Sequence, residues 1–272
     1  MTDLTHVILT RFNVPTKGRE AEIRSRTGWL ERRFDIFEQY CLPAVAAQTN
    51  RDFIWIIYFD TATPAPFRER IARCQKDFPF VDLYREDMPL DTVVDDVRAQ
   101  LKPGSETVLA TRLDNEDAIA RDFVERLQRH ARTVQPGTAL NFPYGVSWRD
   151  GWVFSARDES NPFASVLEKT ADFRTIWARP HALLLHEAFA MYQIEDGLGW
   201  LQVIHGENVT NRVKGRQRPG SVLGDAFAIR PGSDVKTPGP LDALVENLVR
   251  YPVRLARETA VKLIKPFLKV VR

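Results

Sequence analysis

The chain has 272 residues, with 44% hydrophobic and 27% charged residues and a net charge of +2. That length suits one large α/β domain or a domain with a tail, and the composition supports a substantial core. A balance of 38 basic against 36 acidic residues argues against a general nucleic-acid binder.

The start, MTDLTHVILTRF, lacks the basic and long apolar regions of a signal peptide, and no run of about 18 apolar residues exists to span a membrane. Two cysteines, Cys41 and Cys74, are too few for a disulfide framework or a four-cysteine zinc site, and they fit buried free thiols. A reducing cytoplasmic setting is expected. There the NVT sequon at Asn208 has no meaning for glycosylation.

In chain order, THVILTRFN is a buried strand. Residues from about Gly28 to Gln48 are a helix that Pro43 is expected to kink or divide. DFIWIIYFD is a central strand, TPAPFRERIARCQKDFP a helix, VDLYRE a strand, DTVVDDVRAQL a helix and ETVLATRLD a strand. DAIARDFVERLQRHART is a helix opened by the acidic run before it. This alternation predicts an α/β fold with a largely parallel sheet covered on both faces. Ligands bind such sheets at the carboxyl ends of the strands. Residues 11–13, Asp60 and Asp114 end three strands on that edge.

The second half differs. ALNFPYGVSWRDGWVFSAR is a hairpin about RDG, NPFASVLEKT a short helix, TIWAR a short strand, GWLQVIHGENV a strand and KGRQRPG a basic loop. From Pro240 the chain is helical, with breaks expected at Pro252 and Pro266. Residues 248–272 carry seven basic residues, Arg250, Arg254, Arg257, Lys262, Lys265, Lys269 and Arg272, against the single acid Glu258.

Asp114, Asn115, Glu116 and Asp117 crowd behind the apolar run TVLA. Two acids at i and i+2 in extended backbone point the same way, and hard divalent ions prefer such oxygens. Acids also favour a helix N-terminus, the assignment expected for Asp117.

The segments RFDIFEQYCLPAVAAQTNRDFIWIIYFD, TRLDNEDAI and WLQVIHGENV, in this order from Val7 to about Asn211, resemble the bacterial family of putative rhamnosyltransferases, among A-type (GT-A-like) glycosyltransferases. The resemblance implies a GT-A-like domain over 1–239, with a donor part to about 135 and an acceptor part from about 136. A basic amphipathic helical tail over 240–272 and a small antiparallel element complete it. It implies Mg²⁺ or Mn²⁺ held by Asp114, Glu116 and His205. The family pattern has aspartate at both acidic ends, so Glu116 is a departure. A nucleotide-diphosphate sugar would lie near Thr10, Arg11, Asn13, Asp60, Arg112, Asn208 and Arg212.

An inverting transfer needs a general base, for which Asp196, Glu195 and Asp158 are the candidates. A turn at EDG accounts equally well for the first two. His186 beside Glu187, and His181, fit structural roles better than catalytic ones. Trp148 and Trp152 fit core or cross-strand pairs better than sugar platforms. The basic loop with Arg212, Lys214, Arg216 and Arg218 fits a solvated loop or a diphosphate clamp.

The expected function is transfer of a sugar, rhamnose by family name alone, to a glycan or lipid-linked acceptor in surface polysaccharide synthesis. The expected place is the cytoplasm, at the inner face of the membrane. The tail suits peripheral association with an anionic membrane and equally a helix packed on the domain or a second subunit. The rival reading is a non-catalytic nucleotide- or glycan-binding domain of the same fold. A phosphoryl-transfer enzyme is disfavoured because no G-x-x-x-x-G-K-[ST] loop occurs.

Overall fold

The computed structural model describes residues 4–16, 18–178, 189–206, 213, 215–224, 226–230 and 235–256. The first half alternates as the sequence predicts: β1 (Leu4–Arg11), α1 (Arg19–Arg24), α2 (Trp29–Ile36), α3 (Leu42–Ala46), β2 (Ile54–Asp60), α4 (Ala65–Asp77), β3 (Val81–Arg85), α5 (Leu90–Arg98) and β4 (Thr107–Arg112). Then come β5 (Ala118–Ile119), α6 (Phe123–Ala131), β6 (Thr138–Asn141), β7 (Tyr144–Arg149), β8 (Trp152–Arg157), β9 (Ser165–Lys169), β10 (Ala190–Gln193), β11 (Trp200–Ile204), β12 (Arg216–Arg218) and α7 (Pro240–Val245).

Seven strands form the central sheet in the order β10-β6-β9-β4-β1-β2-β3. Only β9 runs antiparallel to its neighbours, β4 and β6. The sheet is therefore mostly parallel, and its strands are apolar on both faces, as burial on both sides requires. Ile8, Trp55, Ile57 and Leu109 face one core with α2, α3 and α6. Val7, Leu9, Ile56 and Val108 face another, where α5 contributes Val93 and Val97. Five strands, β12-β8-β7-β11-β5, form the smaller second sheet.

α2 and α3 are one helical run joined by a wide π-type turn, Phe37–Cys41. Pro43 offers no N–H to the carbonyl of Gln39, four residues back. Arg230 N–H donates to that carbonyl instead, at 2.9 Å. Residues 226–230 thus act as a strap: the Ala226 carbonyl also accepts from Arg121 N–H at 2.8 Å, and Phe227 is buried in the core.

The RDG hairpin is as expected. Asp150 and Gly151 both have positive φ, 52° and 85°, which fits a tight turn matching strand twist. Trp200 lies so close to Gly145 that a β-carbon there would meet its ring at 2.1 Å.

Five expectations fail. The acidic run does not open a helix: residues 118–119 pair with β11 in the second sheet, and α6 begins only at Phe123. NPFASVLEKT is not a helix but holds β9, whose first four residues are all buried. Burial on both faces leaves no alternation for a strand to show. TIWAR is not a strand, since Ile176 and Trp177 lie in a turn. The basic loop contains β12, paired antiparallel with β8. Pro252 does not break the last helix, which runs through residues 240–256 with a π-type turn at Glu246–Arg250 before the proline.

Candidate active site

The parallel register of β1 and β4 extends one bond past the strands, where Leu113 N–H meets the Leu9 carbonyl at 3.1 Å. The chain then turns at 114–117, closed by Asp117 N–H on the Asp114 carbonyl at 3.1 Å. Asn115 ties this turn to the end of β1 by donating to the Phe12 carbonyl at 2.9 Å. The acidic turn thus sits at the carboxyl edge of the central sheet, where the sequence places it.

Each acid in the turn has its own compensation. Asp114, the most open, accepts from Arg112 Nη2 on both oxygens at 3.1 Å and from its Nε at 3.2 Å, and the carboxylate raises the arginine above its ordinary value. Glu116 is buried. It accepts from Arg33 and from His205 Nε2, the latter at 2.9 Å. Burial alone would raise the Glu116 carboxyl. The bonds from His205 and Arg33 outweigh it and hold the group below its ordinary value.

Asp117 does not cap a helix. One oxygen accepts Val203 N–H at 2.8 Å from β11, and the other is buried with no hydrogen-bond partner among the described residues. Burial, then the charges of Glu116 and Asp114, push its carboxyl well above the ordinary range.

Arg33 was not foreseen. Its sequence signal is the i, i+4 spacing from Trp29, which puts both on one face of α2. The guanidinium lies 5.3 Å from the Trp29 ring centre and also reaches Asn115 at 3.3 Å. Arg24 stacks on the same ring at 5.7 Å and donates to Asp60 at 2.9 Å. Asp60 is therefore at the site's margin, with its other oxygen taken by Ala62 N–H at 2.8 Å.

Two of the expected donor-binding residues are structural. Thr10 is fully buried and accepts from Trp55 Nε1 at 2.9 Å. Asn13 is buried and bridges the ends of β1 and β2, donating to Thr63 and accepting from Asp60 N–H. Arg11 is exposed and pairs with Glu20 at 3.1 Å. Asn208, Arg212, Lys214, His181, His186 and Glu187 lie outside the described residues.

The three base candidates separate clearly. Asp196 is held by Arg126, Arg129 and His130 of α6 at 3.0, 2.8 and 3.3 Å. Burial would raise its carboxyl, but Arg126 and His130 lower it, the wrong direction for a base. Glu195 pairs with Arg157 at 3.1 Å in an exposed position. Asp158 lines a cavity of about 880 Å³ between the β7–β8 hairpin and the C-terminal helix, with Tyr144, Arg216, Arg218, Tyr251 and Arg254 among its walls. Trp148 is buried against Tyr40, as expected of core. Trp152 packs on the small cluster of Phe154, Ile204 and Val213.

A divalent ion requires hard donors that converge. Among the described residues no group of three or more His, Cys, Asp or Glu side chains is arranged to hold one. Glu116 Oε2 and His205 Nε2 do lie 2.9 Å apart, and Asp114 belongs to the same turn. An ion bound by one or two carboxylates and completed by substrate phosphates needs no larger protein cage. The donor set fits that arrangement only.

Fold and site together define an α/β protein with a mostly parallel central sheet and an acidic turn at the carboxyl edge of its strands. The chain belongs to the family described as "Putative rhamnosyl transferase", whose model matches residues 5–217. Among curated proteins none matches. Solved structures resemble it distantly. S. aureus TarS 1-349 in complex with UDP shares 10% identity at a TM-score of 0.45, covering 74% of this chain. This chain spans 60% of the length of that one. A "putative nucleotide-diphospho-sugar transferase" from Desulfovibrio desulfuricans G20 shares 10% identity at a TM-score of 0.37, covering 75% of this chain and 83% of that one. The inositol-1-phosphate CTP transferase from T. maritima shares 8% identity at a TM-score of 0.38, covering 78% and 94%.

Proposed function

We propose that the protein is a metal-dependent glycosyltransferase. It moves a sugar, rhamnose by family name, from a nucleotide-diphosphate donor to a hydroxyl of a glycan or lipid-linked acceptor in surface polysaccharide synthesis at the cytoplasmic face of a membrane. One observation carries the reading: at the carboxyl edge of the sheet, Asp114 and Glu116 are each matched by an arginine, with His205 beside them.

Arginine forks suit diphosphate oxygens, so Arg33 and Arg112 are the residues to meet the donor's leaving group. Asp114, Glu116 and His205 would hold the ion, which when bound supplies positive charge against the departing diphosphate. Asp117, bonded to Val203 and with its carboxyl raised by burial and by the neighbouring acids, resists adding a third negative charge to the turn. For an inverting transfer, Asp158 on the cavity wall is the base that takes the acceptor's hydroxyl proton. Tyr144 and Tyr251 in the same cavity offer faces to a sugar ring.

A thermal-shift panel of nucleoside diphosphates, with and without Mn²⁺, tests this. Bound ligand raises stability with concentration over Kd. One nucleotide should stabilise the protein, more so with Mn²⁺, and Asp114→Ala should abolish the Mn²⁺ increment and turnover together. Equal nucleotide binding with and without Mn²⁺ would sink the metal reading.

The rival, a non-catalytic nucleotide- or glycan-binding domain, draws on one fact: Arg33 and His205 already compensate Glu116. It predicts nucleotide binding, indifference to Mn²⁺ and no turnover with any sugar donor.

A further inference from the structure

The helical run 240–256 is turned inside out for a soluble protein. Its polar side chains face the domain. Asn247 pairs with both backbone groups of Gln217 on β12, accepting from N–H at 2.9 Å and donating to the carbonyl at 3.1 Å. Glu246 is buried and accepts from Arg254, and Arg254 also reaches the Gly215 carbonyl at 3.3 Å. These contacts cover the edge of β12, which would otherwise be open to pairing.

The opposite face is aliphatic and exposed. Leu241, Leu244, Val245 and Leu248 recur at helical spacing, with Leu241 at 78% and Leu248 at 66% exposure, and Val249 and Val253 extend the stripe. Among the described residues, seven of the nine large exposed hydrophobic residues fall between 241 and 255. Isolated exposed leucines are ordinary, but a contiguous stripe marks a contact surface.

The charge of the helix and of the sequence after it indicates what covers the stripe. Arg250 stands at its margin with its side chain 69% exposed and pairs with Glu246 at 3.4 Å, so within 240–256 Arg250 and Arg254 are balanced by Asp242 and Glu246. On the helix's inner side, Arg216 stacks over Tyr251 and Arg218 bonds Ser155, both on the cavity wall. The excess of positive charge comes from the sequence that follows, 257–272, which has five basic residues against one acid and lies outside the described residues. A second copy of a near-neutral chain offers no matching excess of negative charge, whereas an anionic bilayer presents apolar depth and surface phosphate together.

We infer that the outer face of helix 240–256 lies on an anionic lipid bilayer, bringing the arginine-lined cavity to the headgroup layer. The inference rests on the glycosyltransferase reading only in naming what the cavity then receives, the phosphate-bearing head of a lipid-linked acceptor.

The test is co-sedimentation of the full chain with phosphatidylcholine vesicles, with and without phosphatidylglycerol. The protein should bind the anionic vesicles and leave the neutral ones. Leu244→Asp/Leu248→Asp, at exposed positions that leave the fold intact, should weaken binding at least about tenfold. Nucleoside diphosphate binding, measured on the same preparation, should not change in the variant, so failure of the membrane contact and failure of the donor site read out separately. Equal binding of both vesicle types, no binding at all, or a variant that binds as well as the parent overturns the inference. So does a parent that is dimeric, ignores vesicles and becomes monomeric in the variant, because a second copy then covers the face.

Discussion

Glu116 and Asp196 are two carboxylates in the same chemical company, each held by arginine and one histidine. Asp196 is pinned between Arg126, Arg129 and His130 on the side of α6, its side chain 35% exposed, and all its partners are used in bracing α6 against the loop before β11. Glu116 is 11% exposed and sits at a turn that joins β4 to the second sheet, beside another acid with its own arginine and a third whose carboxyl is raised above its ordinary range. Charge partners alone therefore do not mark a site. What distinguishes Glu116 is the convergence of three independent elements, the β4 turn, α2 and the end of β11, on the ligand edge of a parallel sheet.

The strongest test of that contrast is turnover. Asp114→Ala should lower kcat by about a hundredfold or more, as for other losses of charge stabilisation at a leaving group. Asp196→Ala should leave it unchanged. Steady-state rates with the donor identified by thermal shift decide, and equal losses in the two variants would erase the distinction.

Next in size is Arg33→Met. Removing one partner from a buried pair strands the other charge, so stability should fall by about 3 kcal/mol in urea denaturation. The pH profile carries a signature. Glu116 is held below its ordinary value, so its contribution is present above about pH 4.5 and lost as pH falls through the lower folded value. Without Arg33 the folded value lies closer to the ordinary one, so that loss should be smaller and complete at higher pH.

Asp117→Asn should act in the opposite sense. The Asp117 carboxyl is raised, so the native state holds its proton more tightly than the unfolded chain, and stability is lost as pH rises above its ordinary value of 3.8. The amide keeps the acceptor for Val203 and fills the orphaned side with a donor group. Stability at pH 8 should rise by about 1 kcal/mol, with turnover retained. A collapse of turnover would make Asp117 part of the machinery. The smallest effect belongs to Asp196→Ala, about 1 kcal/mol or less, because a half-exposed ion pair is screened.

The parallel half of the fold was legible because its strands are long, apolar and separated by amphipathic helices. β9 was not, since Ser165 to Glu168 are buried on both faces and pair with strands that lie far away in the chain. The start of α6 was misplaced for a related reason: Ala118 and Ile119 join β11, which lies some eighty residues later. In the site, Asp114 and Glu116 could be found from spacing, and His205 from its place after an apolar strand. Arg33 could not, because an arginine in LERRFD looks like helix surface until Glu116 is brought to it. Thr10 and Asn13 were misread because strand-end polar residues equally serve to lock neighbouring strands.

The strap at 226–230 bears on how short the protein can be made. The family match stops at residue 217, yet the strap lies beyond it, and its backbone holds the helix that carries Arg33 and the chain entering α6. A fragment cut at the family boundary would keep every residue of the acidic turn. It would lose the Arg230 contact at the proline-opened rung of α2–α3, and with it the rigidity of the scaffold presenting Arg33. The smallest working unit therefore reaches at least to Arg230.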